Sequence, residues 1–157
     1  MAVKKKFDWS QFTLRIEIEA SPEKVFKAWT EDKTVSKWFT TNTIIDPRKN
    51  GRVFYEWLDG TQMDTKVLRI IKNRFFSFPF GNKGEKVDVR IKKVSGGSLC
   101  ELSQLNMKTT ENDKIWMHMG CREGWTFFLT NLKAFLEHGV DLRNKNRKNI
   151  GKGYINN

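Results

Sequence analysis

The chain has 157 residues, 38% of them hydrophobic and 13% aromatic, and a net charge of +11, which fits one domain that buries roughly 70% of the surface its unfolded form exposes. No apolar run is long enough to cross a bilayer, and MAVKKKFDW at the N-terminus lacks the apolar stretch of a secretory signal; a cytoplasmic protein with no transmembrane segment is expected. The charge sits mainly at the ends, with +3 on Lys4–Lys6 and +4 on residues 140–157, a pattern of solvated tails that predicts no specific nucleic-acid partner.

Phe12, Leu14, Ile16, Ile18 and Ala20 alternate with Thr13, Arg15, Glu17 and Glu19, the period of a strand with one buried face. Ser21, Pro22 and Glu23 then combine an N-cap residue, a proline at the first helical position and an early acid. They predict a helix whose apolar face is Val25, Phe26 and Trp29. A second short helix follows through Val35, Trp38 and Phe39, and the two helices are expected to form a V.

From Thr41 to Met107 the chain reads as a meander. Strands are predicted over 42–45, 52–57, 63–71, 75–80, 86–94 and 99–107, divided by the turn phrases DPRKNG, LDG, KN, GNKGE and SGG. Val87, Val89 and Ile91 alternate with Asp88, Arg90 and Lys92, so the sheet has one wet face, and Pro79 predicts an edge or a bulge. Residues 108–119 read as a polar connection.

The next stretch organises the rest. Trp125, Phe128, Leu129, Leu132, Phe135 and Leu136 follow the i, i+3, i+4, i+7 spacing of a helical face, with Thr130, Asn131, Lys133 and Glu137 opposite and Gly139 at the left-handed cap position. A helix from near Arg122 to His138 is predicted. Phe127 and Ala134 widen its apolar arc beyond a coiled-coil seam, which suits a helix laid across a curved sheet. After Leu142 the chain lacks apolar periodicity and is expected to be mobile unless Ile150, Tyr154 and Ile155 dock. The expected division is a basic N-terminal segment (1–11), one domain (12–143) and a basic C-terminal tail (144–157).

This order, β-α-α-β6-α, resembles the START-like helix-grip (SRPBCC) superfamily, and within it the domain named for the activator of the heat-shock protein 90 ATPase. The resemblance is carried by ASPEKVFKAWT at 20–30 with Trp38 beyond it, GRVFYEWLDG at 51–60 and GWTFFLTNLKAFLEHGVDLR at 124–143. It implies an α+β fold in which a curved antiparallel sheet grips the long C-terminal helix and two short helices close one end. It also implies a hydrophobic or lipid-like ligand held between helix and sheet. The chain is expected to lack the separate N-terminal domain that eukaryotic chaperone activators carry. One superfamily hosts carriers, receptors, cyclases and chaperone regulators, so the fold alone does not settle the activity.

Trp29, Trp38, Phe54, Trp57, Phe76, Phe78, Trp125 and Phe128 are the candidates to line a ligand cavity, although core packing is the commoner fate of any single ring. His118 and Cys121 have H-x-x-C spacing, but a structural zinc site needs four ligands and no second Cys/His pair accompanies them. Cys100 and Cys121 are expected to be reduced. No G-x-S-x-G or H-E-x-x-H phrase occurs. Glu56, Asp64, Glu101 and His118 are the polar groups whose inward placement would suit acid–base chemistry, with the solvent face the commoner position. Asp59-Gly60 and GNKGE read as turns. The expectation is a monomeric, non-enzymatic binder of a small hydrophobic molecule, without metal or cofactor; the alternatives are a stress-response protein that partners a heat-shock chaperone and, behind it, a cyclase-like enzyme.

Overall fold

Strand β1 (Phe12–Ile18) buries Phe12 and Ile18 and exposes Arg15 and Glu17, as its alternation predicts, in the computed structural model, which describes residues 5–157. Of the basic N-terminal segment, residues 1–4 lie outside the described residues. Helix α1 (Pro22–Thr30) starts where the Ser21 hydroxyl accepts from the Lys24 backbone N–H, and it buries Val25, Phe26, Ala28 and Trp29. Helix α2 (Asp32–Val35) follows directly, and the turn after it carries Trp38 and Phe39 inward.

The strands that follow are β2 (Asn42–Ile45), β3 (Arg52–Glu56), β4 (Gln62–Lys66), β5 (Arg69–Ile71), β6 (Phe75–Pro79), β7 (Lys86–Val94) and β8 (Gly97–Leu105). All pairings are antiparallel, in one sheet ordered β1-β8-β7-β6-β5 and another ordered β2-β3-β4. The strand predicted over 63–71 is divided in two. At Val67 the backbone N–H still donates to Gly51 beside β3, whereas the next N–H, from Leu68, donates to Ser77 in β6. The chain changes partner there, and the two sheets join around that point. Pro79 is tolerated because β5 pairs no further along β6 than Ser77, which leaves position 79 an edge on that side.

The C-terminal helix is longer than the apolar stripe predicts. It begins as α3 (Glu111–Asp113), runs through a π-helical stretch at Lys114–Met119 and continues as α4 (Gly120–His138). Thr110 caps its start by accepting from the Asp113 N–H, so residues 108–119 are for the most part helix rather than a polar connection. The wider π turn explains the missed start. It breaks the 3.6-residue period and leaves Ile115, Trp116 and Met119 exposed, so no apolar stripe reaches back to Glu111. The helix ends at Gly139 (φ 68°), whose left-handed conformation closes the last turn.

Helix α4 packs on β1 and α1, burying Trp125, Leu129 and Leu132 against a core that includes Trp29, Phe76, Phe78 and Leu102. This is the expected α+β helix-grip architecture. One residue assigned to the wet face of α4, Asn131, is fully buried. It is satisfied there by donating to the Trp38 carbonyl (2.7 Å) and accepting from the Leu142 N–H (2.7 Å), which removes the usual cost of a buried amide.

Candidate ligand-binding site

Phe39 is the hub of the site. Its ring stacks on Trp125 at 5.1 Å and meets Trp57, Tyr55 and Phe128 edge-on at 5.4, 5.3 and 4.9 Å. Four elements supply this cluster: the turn after α2 brings Phe39, the end of β3 brings Trp57, the end of β6 brings Phe80, and α4 brings Trp125 and Phe128. Rings at these separations pack in the offset and T-shaped geometries that aromatic quadrupoles favour. They border two hollows.

The larger hollow has a volume of about 550 Å³, with an apolar floor of Phe39, Trp57, Leu58, Phe80 and Phe128, within the size range of small-molecule sites. The smaller, about 240 Å³, shares Phe39, Trp57, Phe80 and Phe128 with it and is lined also by Trp116, Cys121 and Trp125. Of the eight residues that the sequence nominates, Trp57, Trp125 and Phe128 are on these walls. Trp29, Trp38, Phe76 and Phe78 are fully buried packing residues; the first two form a T-shaped pair at 4.8 Å. Phe54 is on the opposite face of β3, where the Arg52 guanidinium sits 5.3 Å from its ring centre. Phe39, Leu58 and Phe80 were not nominated. Leu58 and Phe80 stand just past the ends of β3 and β6, and Phe39 in the turn that replaces the expected continuation of α2, where pattern no longer tells which way a side chain points.

Two polar assemblies hold the walls in place. The Trp125 indole N–H donates to Gln104 Oε1 (3.0 Å), and fully buried Gln104 reaches the carboxylate of Glu85, which also accepts from Asn82. Glu85 is turned inward by the GNKGE turn, where Gly81 has φ +96° and a Cβ would fall 2.2 Å from Glu85 Oε2. That position needs glycine for both reasons. The second assembly is a clasp. Arg143 donates to Asp141, to the Thr40 carbonyl (2.7 Å) and to the Ser36 carbonyl (3.1 Å), tying the chain after α4 to α2 and β2. Burial alone would raise the Asp141 carboxyl, but hydrogen bonds from Arg143 and Lys145 outweigh it and hold the group well below the usual carboxylate range.

The other nominated polar groups are not on the walls. Glu56 accepts from Gln62, Asp64 pairs with Arg52 at 2.7 Å and Glu101 pairs with Arg15 at 2.7 Å, all at the surface. His118 is buried among the rings of Phe7, Trp9 and Phe12, with Nδ1 2.9 Å from the Trp9 carbonyl. Cys100 and Cys121 are free thiols; burial pushes Cys100 up to about 12 and raises Cys121 as well. Among the described residues, no group of three or more His, Cys, Asp or Glu side chains is placed to hold a metal ion, and no helix is long and apolar enough to cross a membrane.

The C-terminal tail was expected to be mobile unless it docked. Its Asn144 N–H donates to the Asn156 carbonyl and the Asn156 amide donates to the Leu142 carbonyl (2.9 Å), and part-buried Ile150 lines the larger hollow. Tyr154 and Ile155 remain exposed.

A family model described as activator of Hsp90 ATPase homolog 1-like protein matches residues 19–137. No curated protein matches the sequence. Among solved structures, a Staphylococcus saprophyticus protein is 17% identical, with a TM-score of 0.74 over 85% of this chain and 96% of that one. The solution structure of an Aha1 dimer from Colwellia psychrerythraea is 25% identical, with a TM-score of 0.71 over 82% of this chain and 97% of that one. DynU16, a protein of the dynemicin biosynthetic locus, is 16% identical, with a TM-score of 0.71 over 87% of this chain and 50% of that one.

Proposed function

The chain belongs to the family of activator of Hsp90 ATPase homolog 1-like proteins, and from that membership together with the aromatic cleft we propose that it binds a small hydrophobic or lipid-like molecule without transforming it. The observation that carries this reading is the larger hollow of about 550 Å³, floored by Phe39, Trp57, Leu58, Phe80 and Phe128. An apolar guest there exchanges water on the rings for van der Waals contact. The non-enzymatic part rests on the walls: the raised thiol of Cys121 is a poor nucleophile, and the buried carboxylate of Glu85 is occupied in holding Gln104 and thereby Trp125.

Native mass spectrometry of the purified protein tests the reading by looking for a retained small molecule. It is paired with a titration in which N-phenyl-1-naphthylamine, a neutral apolar dye, takes up excitation energy from Trp57 and Trp125. A retained mass or saturable energy transfer supports it; neither would overturn it. A second reading, contact with a heat-shock chaperone, is favoured by the exposed apolar residues Ile115, Trp116 and Met119 on the π-helical stretch. Pull-down with the intact protein and with a Trp116→Ser variant tests that contact directly.

A further inference from the structure

One lip of the larger hollow is built by this chain's own C-terminal segment. Asn144, Lys145, Ile150, Gly151 and Asn157 all line it, and the segment is folded back by hydrogen bonds from Asn144 to Asn156 and from the Asn157 amide to the Asn149 carbonyl. Between positions 144 and 157 the side chains include four cations, Lys145, Arg147, Lys148 and Lys152, and no carboxylate. Lys145 pairs with Asp141 at 3.0 Å yet keeps 68% of its side chain exposed. The clasp assigns Asp141 chiefly to Arg143, which is itself only 10% exposed. Across the mouth, the carboxylate of Asp59 accepts from the Thr61 N–H within its own turn. The hollow thus has an apolar floor and one net-cationic lip.

We propose that this lip makes the site selective for an amphipathic anion: an apolar ring system or chain that lies on Phe39, Trp57 and Phe128, bearing one anionic head group that meets Lys145 and the cations behind it. The proposal rests on the cleft being the binding site, and adds what that site selects. A charge at the mouth of a low-dielectric hollow is screened less than one on an open surface, because solvent reaches it from one side only. The Arg147–Asn149 turn is capped internally by Asn146, and Ile150 directly after it lines the hollow. Of the segment's cations Lys145 lines the hollow itself, and the exposed Arg147 and Lys148 lie between it and the lining residue Ile150 in the chain.

The test uses two dyes that share one aromatic framework. 1-Anilinonaphthalene-8-sulfonate carries a sulfonate and N-phenyl-1-naphthylamine does not. Both are titrated into the full-length protein, a Lys145→Glu variant, an Arg147→Glu/Lys148→Glu variant and a Phe128→Ala variant. The intact protein is expected to bind the sulfonate about tenfold more tightly at low salt, with the gap closing as salt is raised. Each charge reversal is expected to weaken the sulfonate by roughly threefold to tenfold and to leave the neutral dye unchanged; the melting temperature should hold for the exposed Arg147→Glu/Lys148→Glu pair and fall slightly for Lys145→Glu, which sets a second carboxylate beside Asp141. Phe128→Ala is expected to weaken both dyes. Equal binding of the two dyes, unaffected by charge reversal, would overturn the selectivity and leave the hydrophobic-ligand reading standing. Sulfonate binding that ignores Phe128→Ala would also overturn it, since the dye would then be on surface cations away from the cleft. Failure of both dyes would overturn the selectivity, and together with the absence of a retained mass it would remove the hydrophobic-ligand reading as well.

Discussion

Phe128→Ala separates a filled core from a working cleft, because the ring is part-buried and borders both hollows while Phe78, of the same type, is fully buried. Removing Phe78 takes a ring out of continuous packing and should cost about 3–5 kcal/mol in transfer and cavity terms. Phe128 meets Phe39 at 4.9 Å, Phe127 at 5.3 Å and Trp125 at 6.5 Å between ring centres, but also borders the open hollow. Its lost contacts should amount to about 1–2 kcal/mol. At about 3 °C per kcal/mol for a chain of this length, the melting temperature should fall by roughly 3–6 °C for Phe128→Ala and roughly 9–15 °C for Phe78→Ala. Thermal unfolding followed by circular dichroism reads the first quantity, and titration with N-phenyl-1-naphthylamine reads the second, an affinity about fivefold to tenfold weaker in Phe128→Ala. Equal destabilisation by the two substitutions, with no dye response in the parent protein, would refute the reasoning, for the hollow would then be closed in solution.

The Asp141 carboxyl is depressed below its usual 3.8, so the stability it contributes is complete above that value and lost as pH falls through 4 toward its folded-state value. The difference in melting temperature between the parent and Asp141→Asn should therefore be largest at neutral pH and vanish in strong acid. Arg143→Met should cost about 2–4 kcal/mol in urea unfolding, since it strands a part-buried carboxylate and two carbonyls. Gly81→Ala forces a Cβ into Glu85 at a positive φ; a loss of roughly 1–3 kcal/mol and a shift in Trp125 emission, transmitted through Gln104, are expected. Deleting residues 144–157 removes only the part-buried Ile150 from apolar contact, and should lower the melting temperature by no more than about 3 °C while changing dye affinity.

The elements legible in the sequence are those specified by neighbours a few positions away. The alternation over Phe12–Ile18, the Ser21-Pro22 helix start and the Gly139 cap each depend on steric and hydrogen-bonding preferences of a single turn or strand, and each is found in place. The misplaced boundaries depend on distant partners. Nothing near Val67 announces that the chain there leaves Gly51 for Ser77, and nothing near Ile115 announces a π turn.

The cleft was harder to read for a related reason. Trp38 and Phe39 are adjacent, equally aromatic and both almost wholly buried, yet Trp38 donates to the Ala28 carbonyl inside the core while Phe39 lines both hollows. Composition records that rings are plentiful; it does not record which of their faces another ring will cover. What decides that here is the polar scaffold behind the walls, namely Gln104 holding Trp125 and Arg143 holding the turn after α2. Those contacts span 21 positions for Gln104 and Trp125 and 103 and 107 for Arg143 with Thr40 and Ser36, and they form only when the sheet closes around α4. A hollow between packed rings persists only if its walls are restrained from collapsing into it, so the buried polar contacts and the apolar cleft are parts of one arrangement.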